Sequence, residues 1–538
     1  MQRLLLWILF LFSIGTLLVY ISLPNFIGAQ DRSSSRSRAK IYDYPKSLTP
    51  EANGVADKDA RKFNTEAYSP IEENAFLPVM KKPLSTFSLD VDTASYSNLR
   101  RFLNQGMLPP KDAIRTEELV NYFDYDYPDP EEPEPIAMNT ELSSCPWNRE
   151  HKLLQVGLQG RRVQSTAFPT ANLVFLLDVS GSMEDENKLP LVKQSLRMLF
   201  DRLRPQDTVA IVVYAGAAGL VLPATRGDQK AVLRRAIDQL EAGGATAGGE
   251  GIRLAYKIAQ EQFIPGGNNR VIMATDGDFN IGPSSDAEML RLIESRRRAG
   301  IYLTVLGYGM GNYKDSKLEL LADKGNGNYA YVDNLKEARK VLVTEMGGTL
   351  LTIADDVKIQ LEFNPAKVLE YRLIGYENRV LADANFEDDR KDAGEMGAGH
   401  SMTALYELVL VNGTAPGQHQ MLYLTTEIKP QARTTSELLT IRLRYKLPGQ
   451  SDSKLLSRAI PDKSLPLEKT SDNFRFAAAV AGFGLWLRDS EFKGQLNIKQ
   501  IRELAKGARG PDSEDYRQEF LSLLETAEPL KQAQTRQG

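Results

Sequence analysis

One cysteine and three histidines in 538 residues are the first constraint on this chain. With Cys145 alone, no intrachain disulfide can close. Beside Pro146 and Trp147 it reads as a packed small apolar residue rather than a nucleophile. No cysteine follows the apolar run at the N-terminus, so a lipid has no thiol to be attached to there. A charge excess is lacking as well: 66 basic residues face 70 acidic ones for a net charge of -4, which argues against a general nucleic-acid binder. Nor is there a Gly-x-x-x-x-Gly-Lys-Ser/Thr loop to cradle a phosphate.

What the chain does contain is a soluble globular composition, 42% hydrophobic and 25% charged, over a length that exceeds one usual core and calls for two to four domains. Its organising stretch is 171–183. Leu173, Val174, Phe175, Leu176 and Leu177 form an unbroken apolar run, short and branched enough for a strand buried on both faces. The run ends on Asp178. Ser180 and Ser182 follow around Gly181, so a tight turn can aim three oxygens at one point, as a hard divalent cation requires.

Two further pieces stand at the ends of other elements. Residues 189–203 carry Val192, Leu196, Leu199, Phe200 and Leu203 on one helical face, which puts the oxygens at a strand-to-helix crossover. Thr246 lies in a glycine-dense loop that opens a helix at 251–263, and Asp276 closes a strand at 270–275. The glycines of 243–251 are those of a backbone that turns sharply to present Thr246.

Asp178, Ser180, Ser182, Thr246 and Asp276, in this order and context, resemble the complete metal-ion-dependent adhesion site of the von Willebrand factor type A domain, over residues 169–348. The resemblance implies that Ser180, Ser182 and often Thr246 bind metal directly, the aspartates directly or through water, and that a partner's Asp or Glu completes the shell. The implied ion is Mg²⁺, with Mn²⁺ or Ca²⁺ as alternatives. Phe87 to Asn98 and Glu117 to Tyr125 resemble the region ahead of this domain in one family of bacterial exported proteins. The runs beginning at Gly397 and Asn473 resemble that family's C-terminal domain of unknown function.

The remaining periodicities fit a mixed architecture. Strands at 208–214, 270–275 and 301–307 alternate with amphipathic helices at 228–240, 285–299 and 314–323. That alternation predicts an α/β fold, a doubly wound, mostly parallel, Rossmann-like sheet whose ligands sit at the carboxyl ends of the strands. From about residue 349 the period becomes two, as in Val357, Ile359, Leu361 and Phe363 or Leu439, Ile441, Leu443 and Tyr445, with further strands expected at 404–411 and 421–428. This predicts a β-sandwich-like domain over 349–465, and helices at 474–487, 498–505 and 515–527 make a C-terminal helical region over 466–530.

At the other end, residues 4–23 are long and apolar enough for a membrane-spanning signal anchor or a signal peptide within 1–29, which places the body outside the cytoplasm. A polar stretch at 30–81 is expected as a disordered tether. Residues 82–168 form a flanking region, with Ser95 expected to cap a helix, and its strands at 87–91 and 153–158 need cover from the sandwich because two strands are marginal alone.

The expected function is a metal-dependent protein-binding module in the cell envelope. The alternatives are a metal-dependent hydrolase, a co-chaperone of an enzyme, or a scaffold whose metal is structural. A hydrolytic centre needs a base in reach. His151, His400 and His419 all lie outside the type A segment, and Glu184, Asp185 and Asp278 are expected as solvated or supporting charges. His400, flanked by glycines, has a claim as a ligand or contact in a shaped loop, but is expected on the surface in a flexible turn.

Overall fold

An apolar run without alternation needs a core on each side, and that is where 173–177 lies. The computed structural model describes residues 66–244, 248–277, 286–310, 314–345, 348, 351–391, 393–411 and 427–537. Before the run come β1 (Leu77–Pro78), β2 (Leu84–Ser88), helices α1 (Ala94–Asn104) and α2 (Thr116–Asn121), β3 (Ile136–Ser144) and β4 (Lys152–Gly160). Then β5 (Ala171–Asp178), α3 (Leu189–Arg202), β6 (Thr208–Tyr214), β7 (Ala218–Arg226), α4 (Lys230–Asp238), α5 (Gly248–Glu261), β8 (Asn268–Thr275), α6 (Asp286–Arg298), β9 (Ile301–Tyr308), α7 (Asp315–Lys324), β10 (Tyr329–Val332) and α8 (Leu335–Arg339) build a six-stranded sheet with helices on both faces.

The strand order is β10-β9-β8-β5-β6-β7, parallel throughout except for the antiparallel β6–β7 pair. Leu173, Phe175 and Leu177 pack with Val192, Leu196, Phe200 and Leu233 of α3 and α4. Val174 and Leu176 point the other way, to Ile252, Tyr256, Met289 and Ile293 of α5 and α6. The absence of polar alternation in β5 thus follows from two covered faces. β7 and β10 are additions to the expected strands. β7 contains Pro223, tolerated because this is an edge strand, and β10 is four residues long, too short to show a period.

The chain then forms β11 (Thr352–Phe363), β12 (Val368–Ile374), β13 (Gly394–Gly397), β14 (Ser401–Leu410), β15 (Glu437–Lys446) and β16 (Ser453–Pro461). These do not close a domain by themselves. One antiparallel sheet runs β1-β12-β14-β4-β3, and the other runs β13-β11-β15-β16 with β2 paired to β11. Phe87 stands opposite Ile359 and Val156 opposite Ala404, so strands from before and after the six-stranded sheet share one core with Leu361, Phe363, Tyr406 and Leu443. The helices do likewise. Tyr96, Leu99, Leu119 and Phe123 of the flanking region pack on Phe474, Phe476 and Phe483 of α9 (Asp472–Arg488), Ile501 of α10 (Ile498–Lys506) and Phe520 of α11 (Tyr516–Gln537).

Three expectations change. Residues 66–81 are not a loose tether. Glu66 pairs with Arg101 at 2.9 Å, the Asn98 amide donates to the Tyr68 hydroxyl, the Asn74 amide donates to the Leu373 and Gly375 carbonyls, and β1 pairs with β12. Polar composition hid this because the segment is held by specific polar contacts rather than by an apolar stripe. Ser95 is not a cap: the helix starts at Ala94, and the Ser95 hydroxyl donates to the Ala113 carbonyl and accepts from the Arg115 N–H. The strand expected at 421–428 lies largely outside the described residues.

His400 is the third change. Its ring packs so closely on Gly348 that a methyl there would sit 1.9 Å from it, and its Nδ1 is buried with no hydrogen-bond partner among the described residues. Burial, and then the Lys340 ammonium, push its pKa down from 6.5 to about 4. A histidine held neutral in the fold but free to protonate when unfolded supports stability above pH 6.5 and withdraws that support as pH falls toward 4. Chemical denaturation of wild type and His400→Gln between pH 7 and 4 is therefore expected to show a steeper loss for the wild type. Parallel curves would contradict the burial of its Nδ1.

Candidate metal centre

The oxygens converge at the carboxyl end of the six-stranded sheet. Asp178, the last residue of β5, is fully buried. One of its carboxylate oxygens accepts the Ser180 N–H at 2.9 Å and the other accepts the Thr275 hydroxyl at 3.3 Å. Ser180 then opens a short helical turn, Gly181–Glu184, that brings the Ser180 and Ser182 hydroxyls within 3.1 Å of each other. Neighbouring oxygens of an octahedral magnesium shell are about 3.0 Å apart given bonds of about 2.1 Å, so the two hydroxyls are spaced as adjacent ligands. All donors are oxygen, the set a hard cation prefers.

The loop that carries Thr246 is tied to this turn by its backbone. The Gly181 N–H donates to the Gly244 carbonyl at 3.0 Å and the Gly243 N–H donates to the Val179 carbonyl at 2.8 Å. Gly244 has φ of +83°, a conformation that favours glycine. Thr246 itself, and Asp278, lie outside the described residues. Asp276 follows β8 and is fully buried beside the turn. Burial raises the Asp178 carboxyl to about pKa 6 against the pull of its Ser180 hydrogen bonds, and the Asp276 charge adds to the rise. Two buried carboxylates at one point call for a cation.

Sequence reasoning missed the cation that is there. The Lys188 ammonium donates to Oδ2 of Asp276 at 2.9 Å and to the Ser182 carbonyl at 2.9 Å, with the Asp185 carboxylate 3.9 Å away. Its side chain is 4% exposed, its stem running past Gly309, where a Cβ would lie 2.4 Å from Cε. The available signal was a lysine at a helix start, where serine, threonine or aspartate is usual.

The candidate bases are not gathered here. Glu184 and Asp185 are exposed. His151 pairs with Glu407 at 2.6 Å in the sandwich, and His419 lies outside the described residues. A cavity of about 460 Å³ opens at the opposite end of the sheet, among Pro169, Ala171, Arg204, Asn268 and Thr344, away from the aspartates. A second acidic cluster, Asp90, Asp92 and Glu319, has carboxylate oxygens within 4.8 Å of one another, but Arg379 already reaches all three, at 2.8, 3.4 and 3.3 Å. It is an ion-pair hub.

Three family descriptions match in succession: von Willebrand factor over residues 62–155, von Willebrand factor type A domain over 172–343, and the C-terminal domain of the uncharacterized protein YfbK over 348–530. The uncharacterized protein YfbK of Escherichia coli K12 is 44% identical over 472 residues, 86% of this chain and 81% of its own length. The chain belongs to the YfbK family of bacterial type A proteins. An uncharacterized Synechocystis protein is 26% identical over 297 residues, covering 54% of this chain and 65% of its own. Among solved structures, a von Willebrand factor type A protein from Catenulispora acidiphila is similar at 15% identity over 72% of this chain and 89% of its own, with a TM-score of 0.38. The ArnB paralog VWA2 from Sulfolobus acidocaldarius is similar at 12% identity over 74% and 98%, with a TM-score of 0.35. In this YfbK-family chain the type A segment carries the oxygen cluster, and the other two matched segments build the shared sandwich and helical core.

Proposed function

We propose that this YfbK-family protein is a metal-dependent protein-binding module of the cell envelope, in which a divalent ion bridges the type A domain to a carboxylate of a protein partner. The observation that carries the reading is the convergence of Asp178, Ser180, Ser182 and Asp276 at the carboxyl end of the sheet, with the Thr246 loop bonded to the same turn. Type A domains are typically protein-interaction or adhesion modules, and this chain has one. When bound, Mg²⁺, or Mn²⁺ or Ca²⁺ in its place, supplies an electrophilic centre with a coordination position open to an outside ligand.

The residues divide the work. Asp178 supplies charge from the sheet, where its hydrogen bonds to Ser180 and Thr275 fix its orientation. Ser180 and Ser182 supply neutral oxygens whose spacing is set by the Gly181–Glu184 turn. Asp276 supplies a second charge, and Thr246 a hydroxyl that shapes the face presented to the partner. The apolar segment 4–23 is proposed as the anchor; it lies outside the described residues, and among those no helix is long and apolar enough to cross a membrane.

The test uses the whole chain as bait in a membrane extract, with Mg²⁺ or with EDTA, beside Thr246→Ala. A hydroxyl at the end of a glycine-rich loop contributes little packing, so the variant is expected to keep its melting temperature while losing at least tenfold in partner retention. EDTA is expected to abolish retention, and one acidic residue of the partner is expected to dominate the affinity. Equal retention in all conditions would place the partner on the sandwich or the terminal helices and make the metal structural.

A further inference from the structure

Two carboxylates would balance a divalent ion, leaving no electrostatic reason for an anionic partner to approach. The geometry points to a different balance: we propose that Lys188 is a specificity-determining positioning residue that cancels the charge of Asp276, so that the metal-loaded site stays positive and selects a carboxylate. The inference rests on the reading of this site as a metal centre. Lys188 holds Asp276 by Oδ2 and reaches back to the Ser182 carbonyl, which ties the second aspartate to the serine turn. Asp185 lies 3.9 Å from the ammonium but is 47% exposed and screened by water, so the buried charges are those of Asp178, Asp276 and Lys188: they offer one net negative charge to a divalent ion, and one positive charge remains for an incoming carboxylate to neutralise.

The placement of this lysine goes against the preferences of a helix start, which marks it as serving the site. It occupies the N-cap of α3 without a side-chain bond to the helix, at the end where the helix dipole opposes a cation. It is buried, although lysines are seldom buried unless paired. Its stem fits because residue 309 is a glycine at φ of +75°; a side chain there would occupy the path of Cγ, Cδ and Cε. Its burial is matched by the Asp276 carboxylate, and a residue that breaks the capping and dipole preferences together is explained by its two contacts at the metal centre.

The two charge states predict opposite trends for metal and carboxylate. Removing the ammonium removes its repulsion of the ion, so Lys188→Gln, which keeps a donor for Ser182 and Asp276, is expected to bind Mg²⁺ about tenfold more tightly, the size of an interaction between an ammonium and a divalent ion several ångström apart in a water-like dielectric. Lys188→Met is expected to do the same, and Lys188→Arg to remain near wild type. Calorimetric titration of the full chain with Mg²⁺ reads this directly. Acetate then serves as the carboxylate probe, its binding followed by water-proton relaxation of the Mn²⁺-loaded protein. Lys188→Gln is expected to need several-fold more acetate than wild type to displace the bound water.

The failures are distinguishable. If wild type binds neither Mg²⁺ nor Mn²⁺, the metal reading falls and this inference with it. If wild type binds metal and both neutral variants bind it equally or more weakly, Lys188 is only a strut and the proposal is overturned while the metal centre stands. An unchanged acetate response would overturn the claim that Lys188 selects a carboxylate.

Discussion

Asp178→Ala is expected to abolish metal-dependent stabilisation while leaving the metal-free protein close to wild type. A ligand held only by the folded state stabilises it by about 2.7 kcal/mol at a free concentration one hundred times its dissociation constant. Of the two aspartates, Asp178 is the one whose removal costs the fold less. Its carboxylate is buried and its pKa is raised to about 6, so its charged form is disfavoured where it stands, and the loss of its bonds to Ser180 and Thr275 is offset by relief of that desolvation. Asp276→Ala is not an equivalent control. It leaves the buried Lys188 ammonium with only the Ser182 carbonyl and the exposed Asp185 carboxylate 3.9 Å away, and breaking a buried pair by removing one partner costs about 3–5 kcal/mol. Asp276→Asn, which keeps an acceptor for Lys188, is the variant to compare. Thermal unfolding with and without 10 mM Mg²⁺ decides the matter: a shift retained in Asp178→Ala, or absent from wild type, would remove Asp178 from the metal shell.

How far the sequence could be read is set by the range of each interaction. The Asp178–Ser180–Ser182 turn and the run before it are local, and the β5 strand and the spacing of the two hydroxyls stand in the structure where a reader of residues 171–183 would put them. The alternation at Val357, Ile359, Leu361 and Phe363 was equally plain, and all four face one core. Lys188 was not legible, because its meaning depends on Asp276, 88 positions away, and on a glycine at 309 that reads as any loop glycine. The polar contacts of 66–81 were hidden for the same reason: Glu66 matters only beside Arg101, and Asn74 only beside Leu373 and Gly375. Periodicity reports which face is apolar. It carries nothing about which charge meets which, and this chain joins its parts by buried charge.

Arg379 is where that joining is most concentrated, and Arg379→Met is expected to be among the most damaging single substitutions in the chain. Its guanidinium reaches Asp90 and Asp323 at 2.8 Å, Glu319 at 3.3 Å and Asp92 at 3.4 Å. Asp90 and Asp92 follow β2, Glu319 and Asp323 sit on α7 of the six-stranded sheet, and Arg379 follows β12, so one side chain ties three parts of the chain. A neighbouring arginine, Arg115, holds Glu319, Glu118 and Asp315 and cannot replace it. Even with both arginines present, burial pushes Glu319 up to about pKa 8, and burial together with the Asp90 charge raises Asp92. Removing Arg379 leaves these carboxylates buried with less compensation, at a cost of about 3–5 kcal/mol. The sign of its pH dependence follows. A carboxyl whose folded pKa is raised contributes stability below its unfolded value and loses it as pH rises, so the variant's deficit should be greater at pH 8 than at pH 5. Asp92→Asn added to Arg379→Met should recover part of the loss, because it removes one of the stranded charges. Denaturation at both pH values, with hydrogen exchange across α7, tests this: a deficit under about 1 kcal/mol that does not change with pH would mean that the hub is a surface-like pair rather than the joint.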